Sequence, residues 1–204
     1  MHLHPPHTPT VFIVDDEAGV RKAVARLLRA AGIQAAAFAS AADFLAAYDP
    51  HAPGCVLIDV RMPDLNGLDL QRELSGRGGT LPVIFLSGHA DVPISVQAMK
   101  AGATDFLTKP VQDAVLFAAV RAAFEKDRVA RIAQAERADI AARLASLTPR
   151  EREVMEHVVT GQLNKQIAGD LGTAEQTIKV HRARVMEKMK VCSVAELVRL
   201  VGGR

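Results

Sequence analysis

Between Val11 and Val111 the chain alternates five times between a short apolar run and a stretch with helical spacing. The apolar runs cover residues 11–14, 33–38, 55–58, 82–86 and 104–107, and the second of them is heavy in Ala. Runs this short, rich in branched residues and bounded by Gly, Pro or Asp, read as buried parallel strands. The stretches between them, at 17–31, 40–48, 66–75, 92–101 and from 111 onward, carry apolar residues at helical spacing. Gly32, Asp49-Pro50 and Gly102 supply stop signals, and Ser40 is a fitting N-cap. This alternation leaves little choice: it predicts an α/β domain with a parallel sheet covered by helices on both faces. Each crossover is expected to be right-handed.

The strand ends carry the chemistry. Open α/β sheets bind ligands at the carboxyl ends of their strands. Here the first run leads into Asp15-Asp16-Glu17, the third into Asp59 and then Met62-Pro63-Asp64, the fourth into Ser87-Gly88-His89, and the fifth into Thr108-Lys109-Pro110. Acids and one Lys therefore meet at a single edge, with Asp59 at its centre. Crowded carboxylates repel unless a cation joins them, and Mg²⁺ suits a few carboxylates plus phosphate oxygens. A carboxylate is also a nucleophile toward phosphorus, giving an aspartyl phosphate. Lys109 would offset charge on the transferring group, and the Ser87 hydroxyl would donate to a phosphoryl oxygen. The plainer readings are helix capping for Asp16 and Glu17, and core packing for Phe106.

Composition excludes several other functions. With no Trp and one Tyr, stacking on bases or sugars is not expected. No apolar run approaches the length of a membrane span. Residues 1–9 contain Pro and His but no basic start and no apolar core, so they read as a flexible tail and not as a signal peptide. Weak metal binding by His2, His4 and His7 is the less favoured reading of that tail. Cys55 and Cys192 fall in separate parts of the chain, which suits a reducing cytoplasm. Residues 1–126 hold 11 Lys and Arg against 13 Asp and Glu, whereas residues 127–204 hold 14 against 10. The C-terminal part is thus the one suited to a polyanion.

Residues 125–146 have no Gly or Pro and many Ala, Arg and Glu, so they read as a helical linker, with no stop signal to part it from the helix from 111. Ile132, Ile140 and Leu144 give it a thin apolar seam, compatible with a solvated connector or with a short dimerising coil. From 147 the pattern is all helix. Thr148, Pro149 and Glu151 form a capping-box signature. Gly161 ends that helix, Asn164 and Thr173 are expected to cap the next two, and Ser193 the last. Short helices with a tight turn at Gly172-Thr173-Ala174, followed by a basic helix, suit a helix-turn-helix.

At this point two resemblances become specific. Asp15-Asp16, Asp59 with Met62-Pro63-Asp64-Asn66-Gly67 after it, Ser87, and the run from Lys100 to Pro110 together resemble the receiver domain of bacterial two-component response regulators. The resemblance implies a five-stranded sheet of flavodoxin-like order 2-1-3-4-5. It implies Asp59 as phosphoacceptor, with Asp15, Asp16, Asp59 and the backbone carbonyl of Arg61 as ligands of Mg²⁺. Ser87 and Phe106 match the switch residues, and Lys109 the family's lysine, whose bond to Pro110 is cis there. A sensor histidine kinase would be the phosphoryl donor. The surface around residues 92–107 would be the dimer face of the phosphorylated form.

Leu147-Thr148-Pro149-Arg150-Glu151, Asn164-Lys165-Gln166-Ile167-Ala168 and Thr177-Ile178-Lys179-Val180-His181-Arg182 resemble the LuxR-type DNA-binding domain, and the whole chain is similar to FixJ-class regulators. By that pattern Lys179, Val180 and Ala183 face bases, while Asn164, Lys165, Thr177, Arg182 and Arg184 are the better matches for phosphate. His181 is either a backbone contact or a packed edge. Ile178, Val185 and Met189 should face the core, and Leu197, Val198 and Val201 a dimer surface. The expected organisation is a tail (1–9), a receiver (10–124), a helical linker (125–146) and a DNA-binding domain (147–204). The expected function is a cytoplasmic, phosphorylation-switched, homodimeric transcription factor that binds promoter DNA, contacts RNA polymerase and activates transcription, and that is not an enzyme. An Asp-nucleophile phosphatase would need a second Asp two residues after the nucleophile, where Arg61 stands. Control by a small molecule conflicts with the full acidic set, and a constitutive binder is the remaining alternative.

Overall fold

The computed structural model describes residues 8–63, 65–88 and 92–202, so His2, His4, His7, Asp64 and His89 lie outside the described residues. The chain forms two compact units that divide between Ile132 and Ala133. The first unit runs β1 (Thr10–Val14), α1 (Ala18–Ala30), β2 (Gln34–Phe38), α2 (Ala41–Ala47), β3 (Gly54–Asp59), α3 (Gly67–Gly76), β4 (Val83–Ser87), α4 (Val92–Lys100) and β5 (Asp105–Thr108), then enters α5 (Asp113–Ala145). Its sheet is parallel throughout, in the expected order β2-β1-β3-β4-β5.

Strand alternation builds two cores. Val11 and Ile13, Cys55 and Leu57, Ile84 and Leu86, and Leu107 point to the face covered by α1 and α5, where Leu28, Leu116 and Val120 meet them. Val14, Val56, Ile58, Val83 and Phe85 point to the other face, against Phe44, Leu70, Leu74 and Ala98 of α2, α3 and α4. β3 is buried along its whole length, which is why it reads as a continuous apolar run. Ser40 caps α2 by accepting from the Asp43 N–H at 3.0 Å, and Asn66 caps α3 through the Asp69 N–H at 3.0 Å. Gly54 opens β3 at φ 149°, and a Cβ built there would lie 1.9 Å from the Thr10 carbonyl oxygen of β1. The Cys55 thiol is fully buried, and burial pushes its pKa up, with the charge of Asp127 adding to the effect, whereas Cys192 is exposed.

α5 is one helix of 33 residues, so the pattern from 111 and the linker are continuous. Its portion in the first unit holds Asp127, buried, whose Oδ2 accepts from the Gly54 N–H at 3.0 Å and from Arg131 Nε at 2.7 Å. Residues 134–139 are exposed on every side. Beyond them Ile140 and Leu144 turn into the core of the second unit, while Ile132 is exposed. The apolar seam is therefore divided, and two of its three residues serve the chain's own core instead of a coil partner.

The second unit continues with α6 (Pro149–Val159), α7 (Asn164–Asp170), α8 (Glu175–Met189) and α9 (Val194–Gly202) around Val154, Ile167, Ile178, Val185, Met189 and Leu197. The Thr148 capping box forms as expected, with the Glu151 N–H donating to Thr148 Oγ1 and the Thr148 N–H to Glu151 Oε2. Ser193 Oγ accepts from the Glu196 N–H at 3.2 Å at the start of α9. Two caps differ from expectation. Leu163, not Asn164, occupies the N-cap of α7, because the Asn164 side chain is taken by Arg182 Nη1 at 3.0 Å and Gln166 Oε1 accepts the Leu163 N–H instead. Ala174, not Thr173, is the N-cap of α8. Leu197 is fully buried in the unit's core, so it cannot belong to a dimer surface; Val198 is exposed and Val201 half-buried.

Lys190 ends α8 in the left-handed conformation, φ 53° and ψ 47°. A side chain there carries a Cβ penalty of roughly 1 kcal/mol that Gly avoids. Lys190→Gly is expected to raise unfolding stability by about 0.5–1 kcal/mol in urea titration, since Lys190 is exposed and its side chain makes no bond among the described residues.

Candidate functional site

The acidic mouth assembles at the carboxyl edge of the sheet because parallel strands put all their ends on one side. Asp15 follows β1, Asp59 ends β3, Ser87 ends β4 and Lys109 follows β5. The register brings Asp59 opposite Leu86 and Ser87 opposite Thr108. Lys109 Nζ donates to Asp15 Oδ2 at 2.7 Å and to Asp59 Oδ1 at 2.6 Å. The second oxygen of each carboxylate is also engaged: Asp15 Oδ1 accepts from the Glu17 N–H at 2.8 Å, and Asp59 Oδ2 from the Arg61 N–H at 2.6 Å. Arg21 of α1 donates to the Asp15 carbonyl at 2.6 Å and so steadies the β1–α1 turn.

Asp15 and Asp59 are almost wholly enclosed, with Lys109 at the rim. Burial works to lower the pKa of Lys109. The hydrogen bonds and charges of Asp15 and Asp59 outweigh it, and the ammonium is held above its ordinary value. The group therefore stays charged, and its charge is what lets two carboxylates lie together away from water.

Asp16 is exposed, and among the described residues no three acidic, His or Cys side chains close on one point. The carboxylates of Asp15, Asp16 and Asp59 are nonetheless hard oxygen donors, of the kind that fits a Mg²⁺-type cation. The Lys109–Pro110 peptide is cis, as the resemblance implied. Ser87 is 4% exposed and its carbonyl accepts the Lys109 N–H at 2.7 Å. Phe106 is half-buried, its ring centroid 6.1 Å from that of Phe85.

In the second unit α7 and α8 form a helix-turn-helix whose turn includes Gly172 at φ 60°. Ile178, Val185 and Met189 are fully buried, as their spacing predicts, which directs Lys179, Val180, Ala183 and Arg184 outward. Thr177 and Lys165 are also exposed. Arg182 is half-buried and bonded to Asn164, joining α8 to the start of α7. His181 is half-buried too, and its Nδ1 is enclosed with no hydrogen-bond partner among the described residues. Lys179 reaches back to Glu175 at 3.5 Å, an exposed pair that leaves its ammonium available.

A buried ion pair that the sequence reading passed over holds this surface in place. Lys188 Nζ of α8 donates to Glu151 Oε2 of α6 at 2.6 Å and to the Ser146 carbonyl at 3.1 Å. The Lys188 hydrogen bond, with help from Thr148, holds the Glu151 carboxyl down at about 2, against an ordinary 4.5. A depressed carboxyl pKa means stabilisation that is complete above pH 4.5 and is lost as pH falls toward 2. Lys188→Met is expected to remove about 2 kcal/mol at neutral pH, reduced by the partial exposure of Lys188. It should also flatten the acid limb of stability between pH 4.5 and 2, read by urea unfolding across that range. An acid limb as steep as that of the unaltered protein would assign the pH dependence elsewhere.

Residues 11–121 match the response regulator receiver domain family, and residues 145–201 match the bacterial regulatory proteins of the luxR family. The chain belongs to the two-component response regulators that join a receiver to a LuxR-type DNA-binding domain, and it is homologous to the FixJ transcriptional regulators. It is 45% identical over 195 residues to the transcriptional regulatory protein FixJ of Azorhizobium caulinodans, spanning 96% of this chain and 92% of that protein. It is 45% identical over 190 residues to nodulation protein W of Bradyrhizobium diazoefficiens, spanning 93% and 84%. Among solved structures, response regulator StyR superposes with a TM-score of 0.89 at 41% identity, covering 97% of this chain and all of that one.

Proposed function

We propose that Asp59 is the phosphoacceptor of this regulator and that its phosphorylation by a sensor histidine kinase switches the chain to a promoter-binding homodimer. The observation that carries this reading is the Lys109 ammonium held between Asp15 and Asp59, at 2.7 and 2.6 Å, at the carboxyl edge of the sheet. A carboxylate oxygen of Asp59 attacks phosphorus. The new O–P bond replaces the N–P bond to the kinase's histidine; the N–P electron pair stays on that nitrogen, and the ring, protonated at its other nitrogen, leaves as a neutral imidazole. The phosphoryl group brings a charge of roughly −2. Lys109 shifts from the carboxylate to a phosphoryl oxygen, and the Ser87 hydroxyl donates to another. Phe106 turns inward behind Ser87. Asp15, Asp16, Asp59 and the Arg61 carbonyl would hold Mg²⁺, which would offset charge on the transferring group. The chain accepts a phosphoryl group and does not turn over substrate.

Val92, Val96 and Met99 are 69%, 46% and 46% exposed along α4, and this apolar face supports the dimer surface. The family matches, over 11–121 and 145–201, support a receiver over 10–124 and a DNA-binding domain over 147–204; residues 125–146 are then the linker and 1–9 a tail. Lys179, Val180 and Ala183 read bases; Asn164, Lys165, Thr177, Arg182 and Arg184 hold phosphates; His181 backs the surface. The protein works where promoter DNA and RNA polymerase are, in the cytoplasm. No helix of the described residues is long and apolar enough to cross a membrane.

Sedimentation with and without Mg²⁺ and acetyl phosphate tests the switch: labelling of Asp59 should convert monomer to dimer. A labelled chain of unchanged mass would refute the dimer step. On the DNA side, Lys179→Ala should weaken binding to a selected duplex by about 10- to 100-fold and to random duplex by less than about threefold. Equal losses on both would make Lys179 a phosphate contact.

A further inference from the structure

Six side-chain hydrogen bonds of α5 gather at the edge of the sheet opposite the acidic mouth. Asp127 Oδ2 accepts from the N–H of Gly54, the first residue of β3, at 3.0 Å. Its Oδ1 faces the Thr80 hydroxyl, three residues before β4, at 3.4 Å. Lys126 Nζ donates to Thr104 Oγ1, the residue before β5, at 3.3 Å. Arg131 donates through Nε to Asp127 at 2.7 Å, through Nη1 to the His51 carbonyl at 2.9 Å and through Nη2 to the Ala52 carbonyl at 2.5 Å.

An Asp–Arg pair four residues apart on a helix is ordinarily a solvated pair of little consequence. This one differs, because the Asp127 side chain is 3% exposed and every nitrogen of the Arg131 fork has a partner. Burying a carboxylate is costly unless it is paired and hydrogen-bonded. The compensation here comes from the starts of β3 and β4, through Gly54 and Thr80, and the neighbouring Lys126 ties α5 to the start of β5. β3, β4 and β5 are the strands whose far ends carry Asp59, Ser87 and Lys109. Strands laddered to one another transmit a shift along their length more readily than loops do. α5 then continues from these bonds to Ala145, its residues from Ala133 onward belonging to the second unit.

We propose that Asp127, clamped by Arg131, is the positioning residue that couples the state of the phosphorylation site to the helix leading to the DNA-binding unit. Asp127 touches neither the phosphoryl group nor DNA. It fixes α5 to whichever positions β3 and β4 adopt, with Lys126 adding β5, so a change at the mouth is passed to α5 from the opposite edge. This inference rests on the reading of Asp59 as phosphoacceptor.

The test uses the full chain and a duplex that the phosphorylated unaltered protein selects from a randomised pool. Two quantities are read: the extent of Asp59 labelling by acetyl phosphate with Mg²⁺, from intact mass, and the ratio of Kd without and with phosphorylation. The unaltered chain should label and should tighten tenfold or more. Asp127→Asn and Arg131→Gln should label to the same extent, while the Kd ratio collapses below threefold. A merely structural role would lower the melting temperature and leave that ratio alone. Should Asp127→Asn not fold, Thr80→Val and Lys126→Gln each remove one neutral or exposed contact and should each reduce the ratio. Variants that label fully and keep the full ratio overturn the coupling role, as does an unaltered chain that labels without tightening. An unaltered chain that takes no label refutes the phosphoacceptor reading instead.

Discussion

Asp59→Asn is expected to stay folded and to gain no phosphoryl mass from acetyl phosphate and Mg²⁺ under conditions that fully label the unaltered chain. The carboxylate supplies the nucleophilic electron pair; the amide oxygen that replaces it is neutral, far less nucleophilic, and forms no stable phosphoryl product. The rate should fall by at least about 100-fold, or roughly 2.7 kcal/mol on the barrier. The fold should tolerate the change because Asn can still accept from the Lys109 ammonium, and Asp15 remains to pair with it at 2.7 Å. Loss of one charge also relieves repulsion between the two acids. The net effect on stability should stay within about 1 kcal/mol, read from thermal melts. Labelling to the unaltered extent would mean that phosphorus goes to another side chain, and the assignment of the mouth would fall with it.

Gly54→Ala is expected to have the largest effect on the receiver's stability, at about 3–5 kcal/mol. The position needs two things that only Gly supplies. Its φ of 149° is one that side chains rarely adopt, and the added methyl would sit 1.9 Å from the Thr10 carbonyl. That carbonyl is backbone of the adjacent strand, so relief requires β1 and β3 to part where they pair as Thr10 and Gly54. The Gly54 N–H that bonds Asp127 would move too. Since small domains hold only about 5–15 kcal/mol in all, a loss of this size would leave much of the receiver unfolded in modest urea. Gly76→Ala is the matched control, with nothing within 4 Å of its added methyl and an ordinary φ, and it should stabilise, by no more than about 1 kcal/mol. A Gly54→Ala chain as stable as that control would refute the clash.

Much of this architecture can be read from the chain because its signals are local. β3 is apolar along its length since both its faces are covered, and Asp59 breaks that run where the strand meets the mouth. Ser40, Asn66 and Thr148 cap helices through neighbours three residues away. What escaped depends on partners remote in sequence. Asn164 looks like a cap until Arg182, eighteen positions on, claims its side chain. Asp127 and Arg131 look like a solvated pair until the fold brings Gly54 and Ala52 beneath them. Ile140 and Leu144 read as a solvated connector or a seam for another chain, and Leu197 as a contact for one, until the second unit's own core takes them in. Helical spacing says that a face is apolar; it does not say what covers it.

The two cysteines differ in a way that makes the molecule convenient to instrument. Cys192 is exposed at the start of α9, whereas Cys55 is sealed inside β3 with its thiol pushed far above the ordinary range. Thiolate is the reacting form, so a maleimide dye should attach at Cys192 and spare Cys55 while the receiver is closed. One fluorophore per chain then reports on the DNA-binding unit without any engineered residue. Slow modification of Cys55 becomes a clock for receiver opening, since only a chain that exposes β3 offers that sulfur to solvent.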